Sequence, residues 1–107
     1  MTERQKMISG QLYKSGVKEL ANDRMLCKEQ CYDFNALRPS QTEQQSAMIK
    51  KIFGKVGANC FITAPFWCDY GYNIEAGDNF YANHNLVILD LSLIHISEPT
   101  RHSLISY

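Results

Sequence analysis

The chain has 107 residues, enough for one domain, and its 45% hydrophobic and 21% charged content is that of a folded globular protein rather than a disordered one. Eleven Lys and Arg balance eleven Asp and Glu, so no net field draws the chain to nucleic acid or an anionic membrane, and its partners are expected at a shaped site. The charged start, Met-Thr-Glu-Arg-Gln-Lys, leads into no long apolar run, which argues against a signal peptide or membrane span and gives a cytosolic expectation.

Thr2 and Gln5 have the spacing of a capping box, and Met7, Ile8 and Leu12 supply an apolar side, so a first helix is expected to run to Ser9 or Gly10. From Lys18 the apolar positions Leu20, Cys27, Cys31 and Phe34 recur at helical spacing while Asp23, Lys28 and Glu29 fall on other faces. A long amphipathic helix over about 18–36 follows. Arg38-Pro39 ends it, because proline disfavours helical geometry in the residue before it. Ser40 and Glu43 form a second capping-box pattern, opening a helix over about 41–54 with Met48, Ile49, Ile52 and Phe53 on its apolar stripe. Lys50, Lys51 and Lys55 gather near its C-terminal end, where cations suit the dipole, and Gly54 or Gly57 ends it.

Beyond Ile62 the pattern changes to a period of six. One series is Ile62, Cys68, Ile74, Phe80 and Leu86, and a second, offset by two, is Ala64, Tyr70, Ala76, Ala82 and Ile88. Asp69, Asn73, Glu75, Asp78, Asn79, Asn83 and Asn85 fall between them, and Gly77-Asp78-Asn79 supplies turn chemistry. Hexads of this kind mark a parallel β-helix whose short strands send paired apolar side chains inward at each side of the coil. A meander of ordinary strands is the competing reading. The fold class is therefore α+β, with helical residues 1–56 followed by the first hexad coils at 57–90.

The four cysteines, Cys27, Cys31, Cys60 and Cys68, are too scattered for a disulfide framework and are expected to be reduced. Cys27 and Cys31 stand one helical turn apart, a spacing that suits a metal, but no His lies near them to complete a tetrahedral site. They read as buried thiols, with no metal expected.

Met7-Ile8-Ser9-Gly10, the helical segment through Arg24 and Tyr32-Asp33-Phe34-Asn35, then Cys68-Asp69-Tyr70-Gly71-Tyr72-Asn73-Ile74 and Gly77-Asp78-Asn79-Phe80-Tyr81-Ala82-Asn83, resemble the maltose and galactoside O-acetyltransferases in order and spacing. The resemblance covers residues 1–90. It implies a helical cap domain on the start of a left-handed parallel β-helix, assembled as a homotrimer, that moves an acetyl group from acetyl-CoA to a sugar hydroxyl in a site between subunits. The family's general base is a histidine some twenty residues beyond the end of the resemblance, so the chain itself is expected to be inactive. Carried over one position at a time, Arg24, Tyr81 and Asn83 stand where the family contacts sugar, and Asp69 occupies a position that is polar there; their donors and acceptors suit hydroxyls. Ser15 stands about where galactoside enzymes carry an aspartate, which leaves acceptor preference open. Without the resemblance, Arg24 reads as a surface ion pair, Tyr81 as a packed aromatic, and Asn83 and Asp69 as corner residues bonded to local backbone. An enzyme acylating an amine or serine, and a non-catalytic trimer-forming or sugar-binding module, are the alternative functions.

After Asp90 the string Leu91-Ser92-Leu93-Ile94-His95-Ile96-Ser97-Glu98-Pro99-Thr100-Arg101 departs from the hexad pattern. It resembles the in-frame translation of a transposase adapter used in preparing sequencing libraries, and Ile105-Ser106-Tyr107 resembles the adapter's next fixed piece. Residues 91–107 are accordingly expected to be non-native, with the genomic frame continuing into further hexads and a histidine. On that reading His95 and His102 have no catalytic role, and His84 sits in a polar corner.

Overall fold

The computed structural model describes residues 1–97; the expectations for 98–107, His102 included, lie outside the described residues. Helix α1 spans Glu3–Ile8, capped as expected: Gln5 N donates to Thr2 Oγ1 at 3.1 Å and Thr2 N to Gln5 Oε1 at 2.8 Å. Gly10, at φ +81°, closes the helix, with Gly10 N donating to Met7 O and Gln11 N to Lys6 O. Only Met7 of the expected apolar side is buried; Ile8 is exposed, and Leu12, beyond the helix, is 97% exposed.

Helix α2, Lys18–Asn35, buries Leu20, Cys27, Cys31 and Phe34, the stripe its spacing predicts. Asn35, its last residue, acts as a clamp. Its Nδ2 donates to Phe66 O (3.0 Å) and its Oδ1 accepts from Phe66 N (2.8 Å), fixing the helix end to the start of a strand as a neighbouring backbone would.

Helix α3, Thr42–Ile52, begins at Gln41, and the Ser40/Glu43 capping box is not formed. Gln41 Oε1 instead accepts from Arg38 N at 2.7 Å, closing the turn around Pro39, and the helix starts one residue later than a Ser40 cap would allow. Ile49, Ile52 and Phe53 are buried and Met48 is partly so, but Gln45 joins the buried stripe, its Nε2 donating to Arg38 O.

Seven short parallel strands follow: β1 Lys55–Val56, β2 Phe61–Ile62, β3 Phe66–Cys68, β4 Ile74–Ala76, β5 Tyr81–Ala82, β6 Leu86–Ile88 and β7 Ile94–Ile96. They stack on three sides, β1-β4-β7, β2-β5 and β3-β6, in a register of 20 residues: Lys55 faces Glu75, Phe61 faces Tyr81, Phe66 faces Leu86 and Ile74 faces Ile94. The architecture is thus helices plus a partial three-sided parallel β-helix. Lys55 already pairs with Glu75, so the coil begins at β1, two residues before the boundary expected at 57.

The hexad series holds from Ile74 onward, where Ile74 and Ala76, Phe80 and Ala82, and Leu86 and Ile88 are buried pairs, while Asp78 and Asn83 are exposed. Upstream the register is shifted by two. Ile62 and Cys68 are the second members of their pairs, Phe66 is a core residue the series omits, and Tyr70 leaves the interior to pack with Met7 and Leu20. The cause is a longer corner. Residues 69–73 separate β3 from β4, and residues 89–93 separate β6 from β7 at the same place in the next coil, whereas 83–85 suffice between β5 and β6.

The same longer corner corrects the expectation that the pattern stops at Asp90. Ile94 and Ile96 resume it two residues late and pair with Ile74 and Ala76, with Ile96 buried. Asn59, Asn79 and Asn85 take positive φ at the tight corners, where a short amide side chain tolerates the left-handed region. Asn59 Nδ2 donates to Asn79 Oδ1 across the stack at 3.2 Å.

Candidate functional site

The corner at 69–73 is built around one carboxylate. Asp90, fully buried, accepts from Asp69 N (3.0 Å) and Tyr70 N (2.9 Å) on Oδ1 and from Gly71 N (2.7 Å) on Oδ2, while Asn73 Nδ2 donates to its carbonyl at 2.8 Å. Burial pushes the Asp90 carboxyl above its ordinary range, and the N–H groups of Tyr70, Gly71 and Asp69 oppose that. Asn73, expected among the surface corner residues, is buried for this reason. With the corner turned outward, Tyr70 and Tyr72 lie beneath the helical cap, their rings 5.5 Å apart.

Arg24 reaches this corner from α2. Its Nη1 donates to Tyr70 OH (2.7 Å) and to Ser15 O (2.8 Å), with the guanidinium carbon 5.8 Å from the Tyr70 ring centre. It is half-buried and bonded to the coil rather than engaged in a surface ion pair. Asp69 is half-buried at the same corner. Tyr13 closes it, donating to Leu91 O at 3.2 Å; burial raises its phenol, Tyr70 and Asp69 add to that and Arg24 opposes it. Arg24, Asp69, Tyr13 and Tyr70 thus share one corner, and Tyr13 is a member the sequence reading passed over.

Beside it, Arg4 makes a two-pronged bond to Asp23, 2.9 Å from Nε and 2.9 Å from Nη2, and Tyr72 OH donates to Asp23 Oδ2 at 2.7 Å. Burial raises the Asp23 carboxyl, but the Arg4 and Tyr72 bonds outweigh it and the net shift is downward. A carboxyl lowered on folding contributes stability above its unfolded pKa and loses it as pH falls through the folded value, from about pH 4 downward. Asp90 titrates with the opposite sign. The Asp23 contribution is therefore read as a difference: Asp23→Asn is expected to cost about 1–2 kcal/mol at neutral pH, and urea unfolding at stepped pH should show that gap closing below about pH 4. A gap independent of pH would overturn the assignment.

Tyr81 and Asn83 lie elsewhere on the coil. Tyr81 is on β5, half exposed and stacked on Phe61 with ring centres 5.8 Å apart, and Asn83 is exposed at the corner that follows. The fold therefore gathers Arg24 and Asp69 at one corner of the coil and Tyr81 and Asn83 at another. Of the described histidines, His84 shares the corner with Asn83 and its Nδ1 bonds the Ala64 carbonyl, while His95 Nδ1 lies 3.1 Å from Glu75 Oε1.

Residues 6–57 match the maltose acetyltransferase hexapeptide capping motif, a segment that takes in the end of α1, all of α2 and α3, Arg24 and β1. Escherichia coli K12 galactoside O-acetyltransferase is 40% identical over 90 residues, covering 84% of this chain and 43% of that protein. The chain is similar to the maltose/galactoside O-acetyltransferase family. Among solved members, the maltose O-acetyltransferase of Clostridium difficile 630 superposes with a TM-score of 0.88 at 33% identity, over 99% of this chain and 55% of its own. A hexapeptide-repeat acetyltransferase of Vibrio cholerae O1 biovar eltor, solved with acetyl coenzyme A, gives 0.81 at 27% identity, over 91% of this chain and 52% of its own. The chain thus spans about half the length of the relatives it matches. Among the described residues, no helix is long and apolar enough to cross a membrane.

Proposed function

We propose that this chain supplies the acceptor side of a cytosolic sugar O-acetyltransferase, in which acetyl-CoA donates an acetyl group to a sugar hydroxyl. The observation that carries the reading is the union of the capping motif at 6–57 with a coil in continuous 20-residue register, the arrangement of relatives named for maltose and galactoside acetylation. Arg24, Asp69, Tyr81 and Asn83 are the acceptor-binding side chains, offering a guanidinium, a carboxylate, a phenol and an amide to hydroxyl groups. Their placement at two corners of one coil supports a site completed by a neighbouring copy, as in a trimer of left-handed β-helices. Phe61, Trp67 and Tyr81 project outward, all partly exposed, and give such a neighbour an aromatic surface. The general base is assigned to later coils, since His84 and His95 are engaged with the backbone and with Glu75.

Titration of the chain with maltose and methyl galactoside, followed by NMR, tests the reading. Tyr81→Phe keeps the stack on Phe61 while removing the hydroxyl, so it and Asn83→Ala should each weaken binding about 5- to 10-fold, the worth of one hydrogen bond. With the base on later coils, acetyl transfer by the chain should be lower by roughly a hundred- to ten-thousandfold than by a full-length relative. Unchanged affinity in both variants would remove these residues from the site, and turnover at a relative's rate would refute the placement of the base.

A further inference from the structure

Cys27, Cys31 and Cys68 bring three sulfurs together inside the core. Cys68 Sγ lies 3.4 Å from Cys27 Sγ and 3.9 Å from Cys31 Sγ, and all three lie within 4.8 Å of one another. Their exposures are 1%, 0% and 4%. Two come from successive turns of α2 and the third from β3, and the Asn35 clamp fixes those two elements together. Three sulfurs held about 2.3 Å from a common centre stand roughly 3.4–4 Å apart. Two of the three edges already have that length. Cys27 also lines a groove of about 460 Å³, shared with Arg4, Asp23, Lys51 and Tyr72, so the cluster lies behind the wall of that groove, its side nearest solvent.

We propose that Cys27, Cys31 and Cys68 form a three-thiol site that captures one trivalent, thiophilic centre, with arsenite as its representative ligand. Coordination number and charge select the class. Among the described residues no further His, Cys, Asp or Glu joins the three, so an ion that takes four ligands, as structural zinc does, is one short. Three thiolates around a monovalent or divalent ion leave net negative charge in an apolar core, which is costly, whereas a trivalent centre leaves none. The step balances without oxidation. Each thiol proton passes to one hydroxyl of arsenous acid, three arsenic–oxygen bonds break, three sulfur–arsenic bonds form, and three waters leave through the groove. The product ties α2 to β3 covalently and is independent of acetyl transfer.

The test is to incubate the full chain with sodium arsenite in a thiol-free reductant, then apply native mass spectrometry and thiol alkylation. The expected adduct is one arsenic less three hydrogens, with thiols alkylatable in urea after removal of free arsenite falling from four to one, Cys60, and the thermal midpoint rising because the ligand binds the folded form. Cys60→Ser should retain the site, while Cys68→Ser should weaken it at least tenfold. The thiol count on the unaltered chain needs no variant to fold. Protection of only two thiols, uptake only after unfolding in urea, or displacement of arsenite by equimolar zinc would each overturn the proposal.

Discussion

Replacing Asp90 by alanine is expected to destabilise the chain by about 3–5 kcal/mol. Three backbone N–H groups, of Asp69, Tyr70 and Gly71, converge on this carboxylate, and those of Tyr70 and Gly71 are buried. Each donor left without a partner costs roughly 1–3 kcal/mol, and removal of a desolvated charge returns part of that sum. Asparagine is not a neutral replacement. Its oxygen can serve Asp69 and Tyr70, but its amide then places a donor against Gly71 N, so about half the loss should persist. Against a total stability of roughly 5–15 kcal/mol the alanine loss is large. Urea unfolding followed by tryptophan fluorescence of Trp67, on β3 of the same coil, would measure both changes; an asparagine variant as stable as the parent chain would show that the acceptor on Oδ2 is dispensable.

Gly71→Ala should cost about 3–5 kcal/mol, and Gly10→Ala supplies its control. Both glycines have left-handed backbone, φ +84° and +81°, so both variants bear the conformational strain of roughly 1–2 kcal/mol. Around Gly10 there is open space. At Gly71 an added Cβ meets the Ile52 carbonyl oxygen and lies 2.8 Å from Ile52 Cγ2, where α3 ends against the coil. Relief requires the two to separate, breaking the bond from Gly54 N to Gly71 O at 3.2 Å as well. The difference between the two variants in urea midpoint isolates that close approach. Equal losses would mean that the joint between cap and coil yields freely.

What the sequence made legible was local. The α2 stripe of Leu20, Cys27, Cys31 and Phe34 is complete within one element, so its spacing sufficed. The start of α3 depended on two competing local acceptors, Ser40 and Gln41, and nothing in spacing says that the longer side chain wins by closing the Pro39 turn. The coil's register was readable only past residue 74, because the five residues at 69–73 look like any hexad corner until their partners at 89–93 are known. The role of Asp90 and the meeting of Cys68 with Cys27 and Cys31 were missed for one reason: each acts on residues 19 to 41 positions away. The available signal for Asp90 was an isolated carboxylate directly after the apolar pair Leu86 and Ile88, in line with Tyr70 one coil earlier. Of the candidate acceptor residues, Arg24 and Asp69 could be placed at one corner only once Tyr70 was seen to leave the interior.

The borrowed carboxylate also sets an order of events during synthesis. Helix α2 is complete at Asn35, yet the surface that receives its Leu20 end, Tyr70 with the turned-out corner, takes shape only when Asp90 arrives to hold three N–H groups. Each coil lends its shape backward to the one before it. The Leu20 end of the cap must therefore wait uncovered while more than fifty further residues leave the ribosome, and the chain is most vulnerable to misassociation in that interval.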